Sequence, residues 1–558
     1  MSCTRHTRVT FSRYPMTRFA ILTMEVERIS AKHRLAVPLS SDIQKTAKFR
    51  IAGYTIYFCS SLPLLLSSVT VKQVFMVVNR LIFFPLGLCV FLSACGSSDS
   101  PGVATTESAC NDFADFSISA DAIGLPTAGV TLDSTFRFSP SVAYCEVAGE
   151  IFPVDTTAPS INFQINLPPQ WNGNGLQFAG SGVFGGELSS GTGPIGSSTN
   201  TQNPTPLAQG YATWGSDSGH QSPDGSFMLN DEALRNFGGE HIKKTNDVAI
   251  AVVSAFYGTT PEKVYIQGDE QGGRAALIAA QRWPADYDGV IAVNPLTTMV
   301  GQHIAATNAE QILAQPNIGL ANTQTALISN TIINSCDGLD GTFDGVVQNI
   351  SACEATGEIE VLRCNFLVLD QEACLVDTQA DAVNTIAAPF STPPLIDNIL
   401  SVSGWSLVAS DLSLLFNPDA PFFSPSITAT PTIRFGILRD SLASTTSFTT
   451  AGNEARITEL SNIIDASANV AEFTNSGGKI LLLHETISET SAFGNTVNWY
   501  ERALALPEIQ SASTSISLNL VSQVDADDLF GLLSALDRWT VTGTAPTNLV
   551  SNSVQLTP

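Results

Sequence analysis

Short, nearly all-apolar runs at 176–179, 264–267, 290–293, 480–483 and 516–521 have the length and character of buried strands. Between them lie runs at 244–257, 274–282 and 530–540 with the apolar spacing of helices. Strands that alternate with helices predict a mostly parallel sheet covered by helices on both faces, an α/β fold. The rhythm fails between about 297 and 476. Ser, Thr, Asn and Pro are frequent there, and four cysteines fall inside the stretch. An inserted lid domain explains it economically. The expected organisation is an α/β core built from 110–296 and 477–558, interrupted by a lid at 297–476.

The N-terminal pattern is of another kind. Asn79 and Arg80 precede the apolar run Leu81 to Leu92, which ends in Leu92-Ser93-Ala94-Cys95-Gly96. A short basic start, an apolar segment and small residues before a cleavage point form a secretion signal. Leu-Ser-Ala-Cys matches the signal of bacterial lipoproteins, in which Cys95 becomes the lipidated first residue. The predicted signal peptide is 76–94, followed by a polar tether at 95–109. Met76 offers a start for it, and residues 1–75 read as an upstream extension. The alternative, a single transmembrane anchor, needs a longer apolar run than this one. Gly96 after the cysteine resembles the pattern sent to the outer membrane. A lipid anchor at Cys95 would make the membrane a partner and place the protein in the cell envelope.

Charge narrows the partners further. Of 26 Lys and Arg and 51 Asp and Glu, residues 1–94 hold 12 and 3, leaving 14 basic and 48 acidic residues downstream. An acidic excess of that size argues against nucleic acid, whose phosphates need Lys and Arg. Six cysteines follow Cys95: Cys110, Cys145, Cys336, Cys353, Cys364 and Cys374. An even number in an exported chain implies disulfides. Sequence proximity favours 110–145, 336–353 and 364–374, although other pairings remain open. No spacing resembles a zinc site.

The chemistry centres on Gly268-Asp269-Glu270-Gln271-Gly272-Gly273-Arg274. A strand at 264–267, a glycine-bracketed turn and a helix from 274 make the nucleophile elbow, normally written G-x-S-x-G. Its central serine is here Glu270. Other segments carry a wider resemblance: Leu167 to Gly173 leading into Leu176 to Gly182, Gly210-Tyr211-Ala212-Thr213, and Asp217-Ser218-Gly219-His220. Ala280 to Ala292, Cys336-Asp337-Gly338-Leu339-Asp340-Gly341, Gly477 to His484 and Leu536-Asp537-Arg538-Trp539 extend it. From about Cys110 to the end the chain resembles the tannase and feruloyl esterase family, which implies an α/β-hydrolase core with an inserted lid.

The resemblance also implies where catalysis should sit. The family uses a Ser-His-Asp triad braced by a disulfide between the residue before the serine and the residue after the histidine. The matching triad positions are Glu270, Ser488 and Ala526, and the bracing cysteines become Asp269 and Asp527, with the loop around Ala526 alignable only to within a residue or two. Glu489 adjoins Ser488, so a shift of one residue would restore an acid there. No histidine follows His484. The glycine loop at Gly182 and Val183, with the Gln271 amide, matches the family's oxyanion loop or serves as a packing turn. Calcium is implied in the lid, with Asp337, Asp340 and Asp344 as carboxylate ligands and Thr342 and Val346 as carbonyl donors. The leading expectation is a member that lacks the triad's hydrolysis and binds small aromatic or phenolic esters. The alternatives are hydrolysis through non-standard groups such as Glu270, and a structural or partner-binding role.

Overall fold

The computed structural model describes residues 47–51, 54–58 and 107–556, the last apart from 112, 114–115, 139–141, 195–203, 342, 344–346, 348–352, 354–357, 365–372, 409–411, 418–421, 487, 489, 508–511, 522–528, 530, 548 and 550–552. The signal at 76–94, Cys95, most of the tether, Thr342, Asp344, Val346, Ala526 and Asp527 therefore lie outside the described residues. The chain forms two compact units, Met1–Cys95 and Gly96–Pro558. In the first, Ala47–Ile51 pairs antiparallel with Tyr54–Phe58. Among the described residues no helix is long and apolar enough to cross a membrane.

The second unit is organised by one ten-stranded sheet. Its strands are β1 (Gly129–Phe138), β2 (Ala143–Phe152), β3 (Ile161–Leu167), β4 (Asn174–Phe178), β5 (Ala212–Ser216), β6 (Lys263–Asp269), β7 (Gly289–Val293), β8 (Lys479–Glu485), β9 (Ile516–Val521) and β10 (Ser553–Leu556). Their spatial order is 10-9-8-7-6-4-5-3-2-1. The six strands from β9 to β5 in that order run parallel, whereas β10 at one end and β3, β2 and β1 at the other are antiparallel. All five residues of β5 and of β7 are buried, because a parallel strand is covered on both faces. β1 at the edge alternates and stays half-exposed. The apolar runs read from the sequence are β4 and β6 to β9.

Helices cover both faces. On one, α1 (His241–Tyr257), α2 (Gln271–Arg282) and α7 (Phe493–Leu504) enclose a core with Ile266, Leu277, Val290, Leu482 and Trp499. On the other, α8 (Leu532–Thr542) buries Leu536 and Trp539 against Tyr265, Ile291 and Leu481. The Tyr265 hydroxyl donates to Asp537 at 2.6 Å, which fixes α8 against the central strand β6.

Residues between 297 and 464 contribute to a second core, whereas Ala466, Val470 and Phe473, inside the expected lid, pack into the first. α3 (Met299–Leu313), α4 (Asn322–Cys336), α5 (Asp377–Ala387) and α6 (Glu454–Ile464) pack around Ile304, Ile328, Val383 and Ile457. Phe184, Phe227 and Phe237 join that core from outside the insert. The glycine-rich loop after β4 is thus built into the packing of the lid.

Three disulfides join Cys110 to Cys145, Cys336 to Cys353 and Cys364 to Cys374, each between cysteines close in sequence. The first closes a separation of 35 residues onto β2. The loop entropy it removes from the unfolded chain corresponds to about 4 kcal/mol.

Candidate functional site

The end of the central strand β6 turns abruptly into α2 through Glu270, whose φ is +50° and ψ −109°. A side chain held there stores about 1–3 kcal/mol of backbone strain. The surrounding backbone leaves no relief. A Cβ on Gly272 would lie 1.9 Å from the Gly180 carbonyl oxygen, and one on Gly268 would lie 2.3 Å from the Gly272 carbonyl carbon. The Glu270 amide donates to Val293 O at 3.0 Å, and its carbonyl accepts from Arg274 N at 3.0 Å and Leu296 N at 3.3 Å. Strand, turn and helix therefore meet with backbone in contact with backbone, and the side chain at 270 is held out at the sheet's carboxyl edge.

That side chain is half-buried and has a defined partner. Thr490 Oγ1 donates to Glu270 Oε1 at 2.6 Å, and Ser488 Oγ lies 3.3 Å from the same threonine oxygen. Ser488 Oγ in turn accepts from the Ser491 amide at 3.2 Å. Two of the three triad positions, Glu270 and Ser488, are thereby joined through one threonine. Ala526 lies outside the described residues. Thr490 belongs to none of the motifs legible in the sequence. Its signal is the set of hydroxyl-bearing residues Ser488, Thr490 and Ser491 that follows β8, where the resemblance implies an acid.

Burial pushes the Glu270 carboxyl above its ordinary range, the Thr490 hydroxyl opposes the rise, and the negative charge of Glu485 adds to it. Glu485, at the end of β8, accepts from Asn294 Nδ2 at 3.2 Å, and its amide donates to Asn294 Oδ1 at 2.8 Å. A carboxyl whose charged form is disfavoured is a weaker nucleophile than a solvated carboxylate.

The glycine loop lies against this carboxyl. A Cβ on Gly182 would stand 4.0 Å from Glu270 Oε2, and Gly182 has φ +71°. The Gln271 amide, expected as an oxyanion donor, donates to the Gly182 carbonyl at 3.1 Å. It is committed to the loop's own turn. Val183 packs, half-buried, against the lid core. The Gln271 side chain reaches the Ala179 carbonyl and Ser218 Oγ, both at 3.4 Å. These contacts hold the loop to α2 and engage the Gln271 amide in the fold.

No histidine among the described residues takes the place of the base. His220 stacks on Phe227 with ring centroids 3.8 Å apart, His241 Nδ1 lies 3.0 Å from Ser216 Oγ, and His303 Nδ1 lies 2.7 Å from Thr432 Oγ1. His484 Nδ1 donates to the Glu485 carbonyl at 3.0 Å, so Nε2 accepts from Ser491 Oγ at 3.0 Å. This serine–histidine pair has the spacing of a dyad, but Ser491 is 1% exposed and His484 0%. Burial lowers the four rings to about 4, 3, 3 and 4 for His220, His241, His303 and His484. All four are neutral at ordinary pH.

In the lid, Asp337–Asp340 form a tight 3-10 turn directly after Cys336, and Gly341 follows at φ +97°. Among the described residues no group of three or more His, Cys, Asp or Glu is placed to hold a metal ion. The donor set read from the sequence is all oxygen and so suits a hard cation.

A mostly parallel sheet, a strand–turn–helix elbow at its carboxyl edge and a lid inserted after β7 define an α/β-hydrolase fold. A family model described as "Tannase and feruloyl esterase" matches residues 145–557, and the chain belongs to that family. Over 286 residues it is 40% identical to an uncharacterized esterase of Agrobacterium fabrum, covering 49% of this chain and 51% of that protein. Over 236 residues it is 32% identical to a mono(2-hydroxyethyl) terephthalate hydrolase of Piscinibacter sakaiensis, covering 38% of each. The chain spans about half the length, or less, of the curated relatives it matches. Its fold is similar to that of feruloyl esterase B from Aspergillus oryzae, with a TM-score of 0.66 at 18% identity over 79% of this chain and 91% of that one.

A carboxyl whose pKa is raised by folding stabilises the protein fully below its unfolded pKa and loses that contribution as pH climbs through the folded value. Glu270→Gln keeps the acceptor for Thr490 and removes the titration. Denaturant unfolding of both proteins from pH 4 to pH 8 should show the variant gaining on the wild type as pH rises. A constant difference across that range would count against a raised carboxyl at the elbow.

Proposed function

We propose that this member of the tannase and feruloyl esterase family binds small aromatic esters without hydrolysing them by the Ser-His-Asp mechanism. The observation that carries the reading is Glu270 at the elbow, hydrogen-bonded to Thr490, in a chain with no histidine after His484. Ester hydrolysis on this fold needs an activated hydroxyl and a base that first takes its proton and then activates water. Glu270 attacking an ester carbonyl would have to expel a more basic alkoxide and form a mixed anhydride, an uphill exchange. The second step would then lack its base. Glu270 instead lines the space beside the Gly182 loop, where its carboxyl, raised by burial, would meet the polar end of a ligand. Support for the ligand class comes from relatives named feruloyl esterase and mono(2-hydroxyethyl) terephthalate hydrolase, names that describe aromatic esters.

Mature protein mixed with methyl ferulate or methyl gallate should unfold at higher temperature and release no acid or methanol. Turnover that disappears in Glu270→Gln would overturn the reading and favour hydrolysis through the carboxylate. No thermal shift with either ester would favour a structural role.

The lid is proposed to hold calcium through Asp337, Asp340 and Asp344 with the carbonyls of Thr342 and Val346, closing a loop bracketed by the Cys336–Cys353 disulfide. Its role there is structural, since binding to the folded form alone stabilises that form by mass action. Chelation should lower the unfolding temperature, with recovery on adding calcium, and Asp337→Ala should lose the response. An unchanged melt under chelation removes calcium from the proposal.

The chain is further proposed to be anchored by lipid at Cys95 in the bacterial envelope. Expressed in a bacterium fed labelled palmitate, the full chain should carry label and Cys95→Ser should not. Equal labelling of both would exclude that anchor.

A further inference from the structure

We propose that Asp465 is a pH-operated latch at the junction where both connections of the lid meet, loosening the lid's grip on the core as pH rises. The chain leaves β7 for the lid through Asn294 to Thr298 and returns just after α6. The two crossings touch, because the Ala466 amide donates to the Thr297 carbonyl at 3.0 Å. Asp465, the residue beside that contact, is 0% exposed. Its Oδ1 accepts from the Val300 amide in the first turn of α3 at 3.1 Å, and its Oδ2 accepts from Ser461 Oγ on α6 at 2.5 Å. Ser461 Oγ also accepts from the Ile396 amide at 2.9 Å. One carboxyl therefore ties the lid's first helix, its last helix and an internal loop to the point of exit.

The core grips the same place from below. Arg274, 0% exposed on the elbow helix α2, donates to the carbonyls of Ile464 and, at 3.1 Å, of Phe237, and its guanidinium lies 4.6 Å over the Phe237 ring. Arg282, two turns on, donates to Ile463 O and Gly238 O at 2.8 and 2.9 Å. Two cations thus cap the last carbonyls of α6, where the helix dipole favours them. The charged and titratable groups around Asp465 are Arg274 and Arg282 on α2, with Glu240 facing Arg282 and the His241 ring facing Arg274. From α3 come only backbone amides, and from α6 the Ser461 hydroxyl.

Burial pushes Asp465 up to about 7, while Ser461, the α3 amides and the Arg274 charge offset only part of the rise. An exposed aspartate titrates near ~3.9. The docked lid therefore binds a proton that the released lid gives up. That contribution is complete below pH ~4 and is lost as pH rises through about 7, so the opening constant should climb by up to ~10-fold per pH unit in that window. The latch concerns only the docking of the lid and is independent of what the pocket binds.

Hydrogen exchange on the whole protein, corrected for intrinsic rates, tests this at pH 5.5 and 7.5. Amides of α3 and α6 should lose at least ~10-fold in protection between the two, while those of α1 should not. Asp465→Asn, neutral and nearly isosteric, should keep the same lid protection at both values. Equal protection of the wild-type lid at both values overturns the proposal, and this comparison stands even if the variant fails to fold. So does a pH response in Asp465→Asn as large as the wild type's.

Discussion

Three backbone segments approach one another at the carboxyl edge of the sheet more closely than any side chain allows. Gly272 lies under the Gly180 carbonyl, Gly268 under Gly272, and Gly273 against the Val293 carbonyl, where an added Cβ would stand 2.6 Å away. This contact fixes the angle between β6 and α2, the course of the loop after β4 and the position of the residue at the turn. It constrains the glycines and leaves the side chain at 270 free, since the turn's strain is borne by backbone. Scaffold and reacting group are therefore separable. A chain can exchange a serine for Glu270 and keep every contact that makes the elbow an elbow.

Around that scaffold the interior selects neutral forms. His220, His241, His303 and His484 are pushed down and Glu270 and Asp465 up, with burial the leading cause in each case. Removing a charge from water is expensive, so burial shifts each of these groups toward its neutral form. The guanidiniums have no such choice. Arg274 is therefore surrounded by carbonyl oxygens and an aromatic face, and it sits where the lid meets the core.

Much of the core was legible because covered parallel strands carry short, mainly apolar runs, as β4 and β6 to β9 do, whereas β5, buried but reading Ala-Thr-Trp-Gly-Ser, was not. The antiparallel wing of β1, β2 and β3 was missed. The half-exposed residues of β1 are a weaker signal, β2 includes Gly149 and Glu150, and β3, though buried, carries Asn162, Gln164 and Asn166. The stretch after β7 broke the rhythm, but its helices α3 to α6 were not legible there, because Ser, Thr, Asn and Pro are frequent in it. At the site, the elbow and the absence of a histidine followed from spacing and count. The Thr490 partnership did not, because a hydroxyl 220 residues from Glu270 in sequence is brought to it only by the adjacency of β6, β7 and β8. Likewise the use of the Gln271 amide by Gly182 depends on the loop folding back over α2.

The bond between Cys110 and Cys145 has a mechanical meaning. Cys145 lies in β2, between Phe136 of β1 and Leu167 of β3, so β1 belongs to the stretch that the bond bypasses. Tension drawn along the chain from its N-terminal side would enter the sheet at an inner strand. There it must shear two ladders at once, whereas the edge strand alone could be peeled off one hydrogen bond at a time. The covalent shortcut turns this edge of the sheet into slack chain that carries no load.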